Sequence, residues 1–477
     1  RSSTGAAFFV GKDGRFVLFP HTLKPTFATA VPKSGRLAIC FLLSFPEKAN
    51  ILSIEQTFGI GHMKHRVILH SDINNFYASV ECLHRPEIRE LPVVVGGDEE
   101  ARHGIVLAKN QIAKAAGIKT GETLWQARGK CPGLVTLPPN YPLYLRYARY
   151  AREIYNDYTD RVEPFGLDEA WLDVSGDDGQ RIADEIRMRI RRELGVTASV
   201  GVSYNKIFAK LGSDIKKPDA TTVISEENYR AVAWPLPVEE LLYVGRATGQ
   251  KLRNIGISTI GELARMPESV LRSRLGKMGG VLHAFANGLD RTPVMRLGEE
   301  AMIKSVGNST TTPRDLMCDE DAKIIIFVLS ESVCARMREH GFLGRTVVIS
   351  VRDNELASFE RQTKLPRPSC ISGEIAAAAM QLFRQHYRWP KPIRSLGVRC
   401  TDLVPAGAPM QLSLFGDEER RQKQEALDRA VDEVRRRFGH FAVQRASVLV
   451  DGPLGGINPK GDHVIHPVGY FRNGMEP

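Results

Sequence analysis

Two spacings alternate along the chain. Short runs of strand-forming residues, Val67-Ile-Leu-His70, Pro92-Val-Val-Val-Gly-Gly97, Gly104-Ile-Val-Leu-Ala108 and Ala198-Ser-Val-Gly-Val202, are separated by stretches of helical period. Helices are expected at 76–83, 110–116, 143–158, 180–194 and 205–215, with Gly117 and Gly195 as stops. The alternation from 64 to 230 is irregular, which favours a mixed sheet with helices over a doubly wound parallel one. Trp234-Pro-Leu-Pro237 marks a boundary. From there to about 295 the pattern is helical. Leu241-Leu-Tyr-Val-Gly-Arg-Ala-Thr-Gly-Gln-Lys-Leu-Arg-Asn-Ile-Gly-Ile257 reads as helix, glycine turn, helix. It is either a helix-hairpin-helix offering backbone N–H groups to a phosphate or a plain helical hairpin. Residues 301–404 turn mixed again, with strands at 346–352 and 395–400 and helices near 324–339 and 375–385. A charged helix is expected from about 417 to 438, and the Gly/Pro-rich end suggests no function.

Carboxylates stand where two of these strands give way to turns. Asp72 follows the first strand, and Asp168 and Glu169 lie between Val162-Glu-Pro-Phe165 and Trp171-Leu-Asp-Val174. If the strands are neighbours, three acidic groups converge and need a counter-charge. Oxygen-bound divalent cations meet that need, which outlines a two-metal phosphoryl-transfer site.

Bulk composition narrows the setting. A chain of 477 residues with 43% hydrophobic and 25% charged residues is an ordinary multidomain protein of two to four domains. The formal charge of +10 suits a polyanionic partner without requiring one. Residues 301–404 hold 15 Lys and Arg against 11 Asp and Glu, an excess of 4 that fits either phosphate contact or a solvated surface. The 7 cysteines are dispersed with no C-x-x-C pair, which argues against a disulfide framework or structural zinc and for a reducing compartment. No apolar run is long enough for a membrane span. Residues 1–62 are irregular and proline-punctuated. They are an extension, either native or added ahead of a start at Met63, and possess no evident order.

The ordered blocks identify a resemblance. Asp72-Ile-Asn-Asn-Phe-Tyr-Ala-Ser-Val-Glu81, Gly166-Leu-Asp-Glu-Ala-Trp-Leu-Asp173, Gly201-Val-Ser-Tyr-Asn-Lys-Ile-Phe-Ala-Lys210, Ser213-Asp-Ile-Lys-Lys-Pro-Asp219 and the glycine-turn hairpin occur in that order. Residues 64–415 resemble the Y-family translesion DNA polymerases, in the bacterial polymerase IV-like branch. The resemblance implies an α+β right hand: palm at 64–73 and 143–229, fingers at 74–142, a helix-hairpin-helix thumb at 230–295, a little finger at 301–404 and a tail at 405–477.

It also implies roles. Asp72, Asp168, Glu169 and the Ile73 carbonyl would hold two Mg²⁺ ions, with Mn²⁺ able to substitute. Tyr77 falls at the steric gate against a ribose 2′-hydroxyl, with core packing after the strand as the alternative. Phe76, Gln111, Lys114 and Lys217 would bind the dNTP. Gln111 and Lys114 stand where the family usually has Tyr and Arg, so the bidentate fork is lost. Asn74 replaces a frequent Asp, and Gly166 a common Ser. Val244, Gly245 and Arg246 would contact DNA. Gln411, Leu412, Ser413, Leu414 and Phe415 resemble the peptide that binds the sliding clamp; a linker docked on its own protein is the alternative. The implied protein is a bacterial, cytoplasmic, nucleoid-associated monomer that extends primer-template DNA past damage, at low fidelity and without proofreading. Two other readings are a catalytically weak DNA-binding accessory tethered to the clamp and a palm-fold nucleotide cyclase.

Overall fold

The computed structural model describes residues 9–10, 16–17, 66–99, 102, 104–299, 303–409 and 418–461. The chain divides into Arg1–Met63 and Lys64–Pro477. In the first unit the described residues form one antiparallel pair, Phe9–Val10 with Phe16–Val17. Most of the expected extension at 1–62 lies outside the described residues.

In the second unit a five-stranded sheet carries the acidic segments. Its order is Thr221–Ile224, Ala198–Ser203, Ile68–Ile73, Glu169–Asp173, Val162–Pro164. The first pair is parallel and the rest antiparallel, giving the mixed sheet that the irregular alternation predicts. Side chains alternate between its faces. Leu69, Ile73, Ala170, Leu172, Val200 and Val202 turn to one side and bury against helices Tyr141–Asn156 and Gly179–Arg189. The second helix ends in a π-helical turn, Ile190–Leu194, stopped by Gly195 at φ +70°.

Helix Lys206–Ile215 covers the opposite face. Asn205 caps it, its side chain accepting from the Phe208 N–H at 2.8 Å. It lies so close that a Cβ at Gly201 would fall 1.9 Å from the Ala209 carbonyl oxygen. Only glycine permits that approach, and the approach carries the helix's polar side chains to the ends of the acidic strands.

Around this sheet lie three further cores. Val94, Val106, Ala113, Ile118 and Leu124 bury beneath a small sheet of Val106–Lys109, Val93–Gly96 and Val135–Leu137. Helices Arg246–Arg253, Ile260–Arg265, Glu268–Leu275 and Lys277–Ala286 pack around Leu252, Ile260, Leu263, Leu271 and Leu282. The hairpin stretch differs locally from expectation. Before Gly245 stands one 3-10 turn, Val238–Glu240, rather than a helix. Pro237 and the positive φ of Tyr243 (70°) bracket it, which leaves no room for longer helix.

The last core lies in a four-stranded antiparallel sheet, ordered Ser305–Leu316, Ile393–Pro405, Phe342–Asp353, Ser358–Ser369. Helices Asp319–Glu339 and Ser372–His386 cover its apolar face. The other face bears Ser309, Ser350, Arg352, Gly397, Arg399 and Lys364 in register.

The segment read as a tail does not trail away. Helix Glu418–Phe438 and the turns to residue 461 fold back on this domain. Val448 and Leu454 enter its core. Arg338 pairs with Asp432 at 2.6 Å, and Glu331 with Arg435 at 2.9 Å. Leu454 is fully buried, so Leu454→Ala should cost about 2–5 kcal/mol in urea unfolding. A loss under about 0.5 kcal/mol would mean that the segment is not part of the folded core.

Candidate active site

Strand register fixes the site. Asp72 pairs directly with Glu169, and His70 with Trp171. The period of two puts all four on the face covered by helix Lys206–Ile215. Asp168 precedes the strand, and its carbonyl accepts from the Ile73 N–H at 3.0 Å. A Cβ at Gly166 would meet Asp168 Oδ1 at 3.2 Å, so glycine there leaves that carboxylate uncrowded.

The carboxylates are neighbours but do not converge alone. Lys210 and Lys217, spaced along the covering helix and its exit, are interleaved with them. Lys217 Nζ lies 2.8 Å from both Asp72 and Asp214. Lys210 Nζ lies 3.3 Å from Asp72 and from Asp214, and it also pairs with Glu169. Among the described residues no three His, Cys, Asp or Glu side chains close on one point as an ion-holding group. Two ammonium groups supply part of the counter-charge that three neighbouring carboxylates call for.

The electrostatics keep the marks of crowding. Burial, then Asp72 and Glu169, push the Asp168 carboxyl up to about 7. Asp168 as a residue is half-buried. Burial also raises Glu169, against the pull of Lys210. Burial alone would lower Lys210 and Lys217, but the carboxylates outweigh it and hold both above the ordinary lysine value. Hard oxygen donors of this sort, held close enough to raise one another, suit a divalent cation.

Asn74, read as a replaced Asp, has a structural task. It is buried and bonds Ser199 at 2.9 Å, Thr197 at 3.0 Å and the Asp219 N–H at 2.9 Å. It thereby ties the loop after Lys217 to the acidic strand.

Tyr77 lies in the first turn of helix Phe76–His84. Its ring stacks on Tyr144 with centres 4.2 Å apart and meets Tyr141 edge-on. Burial, then the charge of Asp168, raise its hydroxyl pKa. Phe76 is buried. Gln111 and Lys114 share an exposed face of helix Gln111–Ala115. Val244 is buried, while Gly245 and Arg246 are exposed at the start of helix Arg246–Arg253. Gln411, Leu412, Ser413, Leu414 and Phe415 lie outside the described residues.

Sequence reasoning missed Lys210, Asp214, His70 and Ser213 as parts of the site. The spacing of Lys210, Asp214 and Lys217 at helical intervals was the available signal.

Comparison with known proteins agrees with this geometry. Residues 71–214 match the model of the impB/mucB/samB family, and residues 303–414 that of its C-terminal domain. Residues 240–290 match a model described as the DNA polymerase-iota thumb domain. The chain is 56% identical over 394 residues to DNA polymerase IV of Acetivibrio thermocellus, covering 82% of this chain and 99% of the relative. It is 39% identical over 406 residues to DNA polymerase IV of Pelotomaculum thermopropionicum, covering 84% and 99%. DNA polymerase IV 2 of Bacillus subtilis is 37% identical over 399 residues, covering 81% and 95%. A solved Y-family DNA polymerase chimera shares the fold, with a TM-score of 0.62 and 22% identity over 71% of this chain and 99% of its own. The fold is thus that of a multidomain α+β polymerase hand. The chain belongs to the impB/mucB/samB family of Y-family DNA polymerases, in its DNA polymerase IV branch. It is a DNA-directed DNA polymerase of the translesion type, and the family works with divalent metal ions. Neither the accessory nor the cyclase reading is favoured. No described helix is long and apolar enough to cross a membrane.

The Asp168 shift has a consequence for stability. In EDTA the native carboxyl keeps its proton to about pH 7, whereas the unfolded one releases it near pH 4. At Asp168 the native state therefore binds more protons between these values, and this group's contribution to stability falls as pH rises from about 4 to about 7. Asp168→Asn should flatten that fall in urea midpoints; equal slopes in both proteins would contradict the shift.

Proposed function

We propose that this polymerase joins a dNTP to a primer 3′-hydroxyl at Asp72, Asp168 and Glu169, with two Mg²⁺ ions as cofactors. The observation that carries this reading is the direct pairing of Asp72 with Glu169, with Asp168 beside them and its carboxyl pushed up to about 7. The Ile73 carbonyl completes the candidate ligands. Bound there, the cations would acidify the primer hydroxyl and neutralise the triphosphate and departing pyrophosphate.

The chain's own residues do the rest. The carboxylates fix where charge can be held. Lys217 and Lys210, drawn to them, can turn toward phosphate oxygens as a triphosphate enters. Gln111 and Lys114 reach from the fingers toward the same phosphates, Lys114 as a point charge rather than a fork. Tyr77, braced by Tyr144, would stand as a wall against a 2′-hydroxyl.

Palm (64–73, 143–229), fingers (74–142), thumb (230–295) and little finger (301–404) follow the family's plan. In the thumb, the backbone at Gly245 and Arg246 would hold a DNA phosphate, with Val244 buried beneath. The polar sheet face with Arg352, Lys364 and Arg399 suits backbone contact without sequence reading. Residues 411–415 would bind the sliding clamp, on the strength of their Gln, Leu and Phe pattern. A monomer suffices for each of these contacts.

Primer extension with Mg²⁺ tests the reading. Asp168→Ala with Glu169→Ala should lower the rate on the order of 10³-fold or more; extension equal to wild type would sink it. For the gate, Tyr77→Ala should raise ribonucleotide incorporation about tenfold or more. Unchanged discrimination in competition between ribo- and deoxyribonucleotides would remove Tyr77 from that role.

A further inference from the structure

Lys217 reaches the acidic group from the turn at 216–219, just after helix Lys206–Ile215. No helix holds that turn, and the backbone ladder to strand Ala198–Ser203 begins at Ala220, whose carbonyl accepts from the Val200 N–H at 2.9 Å. What holds it is Asp219. Its backbone is left-handed, with φ +51°. Residues other than glycine keep that conformation where their surroundings impose it.

Asp219 is gripped from two sides. Its N–H donates to Asn74 Oδ1 at 2.9 Å, just past the end of the acidic strand. From the other side comes Arg187, on helix Gly179–Arg189. Its Nη2 donates to the Asp219 carbonyl and, at 2.9 Å, to the carboxylate of the same residue. Its Nη1 donates to Asp184 at 2.9 Å and to Thr221 Oγ1 at 3.2 Å. Thr221 in turn donates to Asp184 at 2.6 Å. A planar fork can make these contacts at once, and a single ammonium cannot. Only Pro218 lies between Asp219 and Lys217, and its ring locks φ. A fixed Asp219 therefore sets where the Lys217 side chain leaves the backbone.

We propose that Arg187 is a positioning residue for nucleotide binding. Through Asp219 it holds Lys217 where the ammonium can exchange Asp72 and Asp214 for oxygens of the incoming triphosphate. The inference rests on the triphosphate role proposed above for Lys217 and adds a residue that acts through it. An ammonium already placed loses less freedom when the triphosphate arrives, so the grip contributes to affinity by preorganisation.

Single-turnover primer extension by the full chain at varied dNTP separates nucleotide affinity from the maximal rate. Lys217→Ala should weaken dNTP affinity about tenfold or more. Arg187→Ala should weaken it about tenfold and leave DNA affinity within about threefold of wild type, a split that general loosening of the fold would not produce. Asp219→Gly tolerates the left-handed backbone, removes the carboxylate and leaves the helix untouched. It should weaken dNTP affinity about threefold or more, and it decides alone if Arg187→Ala does not fold. With Lys217 already replaced by alanine, neither change should weaken dNTP affinity further. No loss of dNTP affinity in either variant, or a loss that persists in full without Lys217, would overturn the role of Arg187. Unchanged dNTP affinity in Lys217→Ala would overturn the triphosphate role of Lys217, and this inference with it.

Discussion

The antiparallel pairing of Ile68–Ile73 with Glu169–Asp173 is the contact on which the rest depends. A slip of one residue would exchange the two faces of a strand. Asp72 would then enter the apolar core, and Leu69 and Ile73 would meet the lysines. The register is held from the far side, where Leu69, Ile73 and Leu172 are buried with no more than 1% exposure. The Ile73 N–H on the Asp168 carbonyl pins the turn as well. Hydrophobic burial thus decides where the carboxylates point, although no apolar side chain is among the candidate ligands.

The charges are balanced only in part. Asp72, Asp168, Glu169 and Asp214 bring four negative charges if all ionise, and Lys210 and Lys217 return two. Burial first, and then the charges of Asp72 and Glu169, hold a proton on Asp168 near neutral pH. Enclosed ion pairs of this kind add little net stability, because desolvation offsets attraction. A fold selected for stability alone would fill the space beneath the helix with apolar side chains. Retention of an unbalanced polar cluster against an otherwise well-packed sheet is the pattern of a site kept for function.

What could be read in the sequence follows from locality. The helix bounds at Asn110, Gly117, Gly195 and Asn205 are set by neighbours a few residues away, and caps and stops announce them. The acidic turns were legible for the same reason. Strand Ser358–Ser369 was not, since it lies at a sheet edge with Arg361, Gln362 and Lys364 in its run and Pro366 and Pro368 near its end. Arg361 and Thr363, on the same face as the half-buried Phe359 and Leu365, blur the period of two. Helix Leu124–Lys130 is short and carries Trp125 outward at 67% exposure, against its apolar character. His70 was hidden for a different reason. Nothing near it in sequence tells that Gly201, about 130 residues on, lets a helix settle close enough to bring Ser213 to its ring.

Rigidity is distributed unevenly around the acidic cluster, and this bears on the proposed division of labour. Tyr77 stacks on Tyr144, whose hydroxyl donates to Glu81 at 2.7 Å, and Glu81 is paired with Arg85 at 2.9 Å. A ring braced through that chain cannot yield by an ångström without moving a buried carboxylate. Gln111 and Lys114 instead extend from a five-residue helix into solvent. A wall that excludes one hydroxyl must be stiff, because a small displacement would admit it. A grip on a flexible triphosphate gains from reach, and long solvated side chains supply that at the cost of ordering them on binding. On the proposed roles, a lysine in place of the Arg fork at position 114 would weaken the part of the site best able to adapt and leave intact the part that must not move.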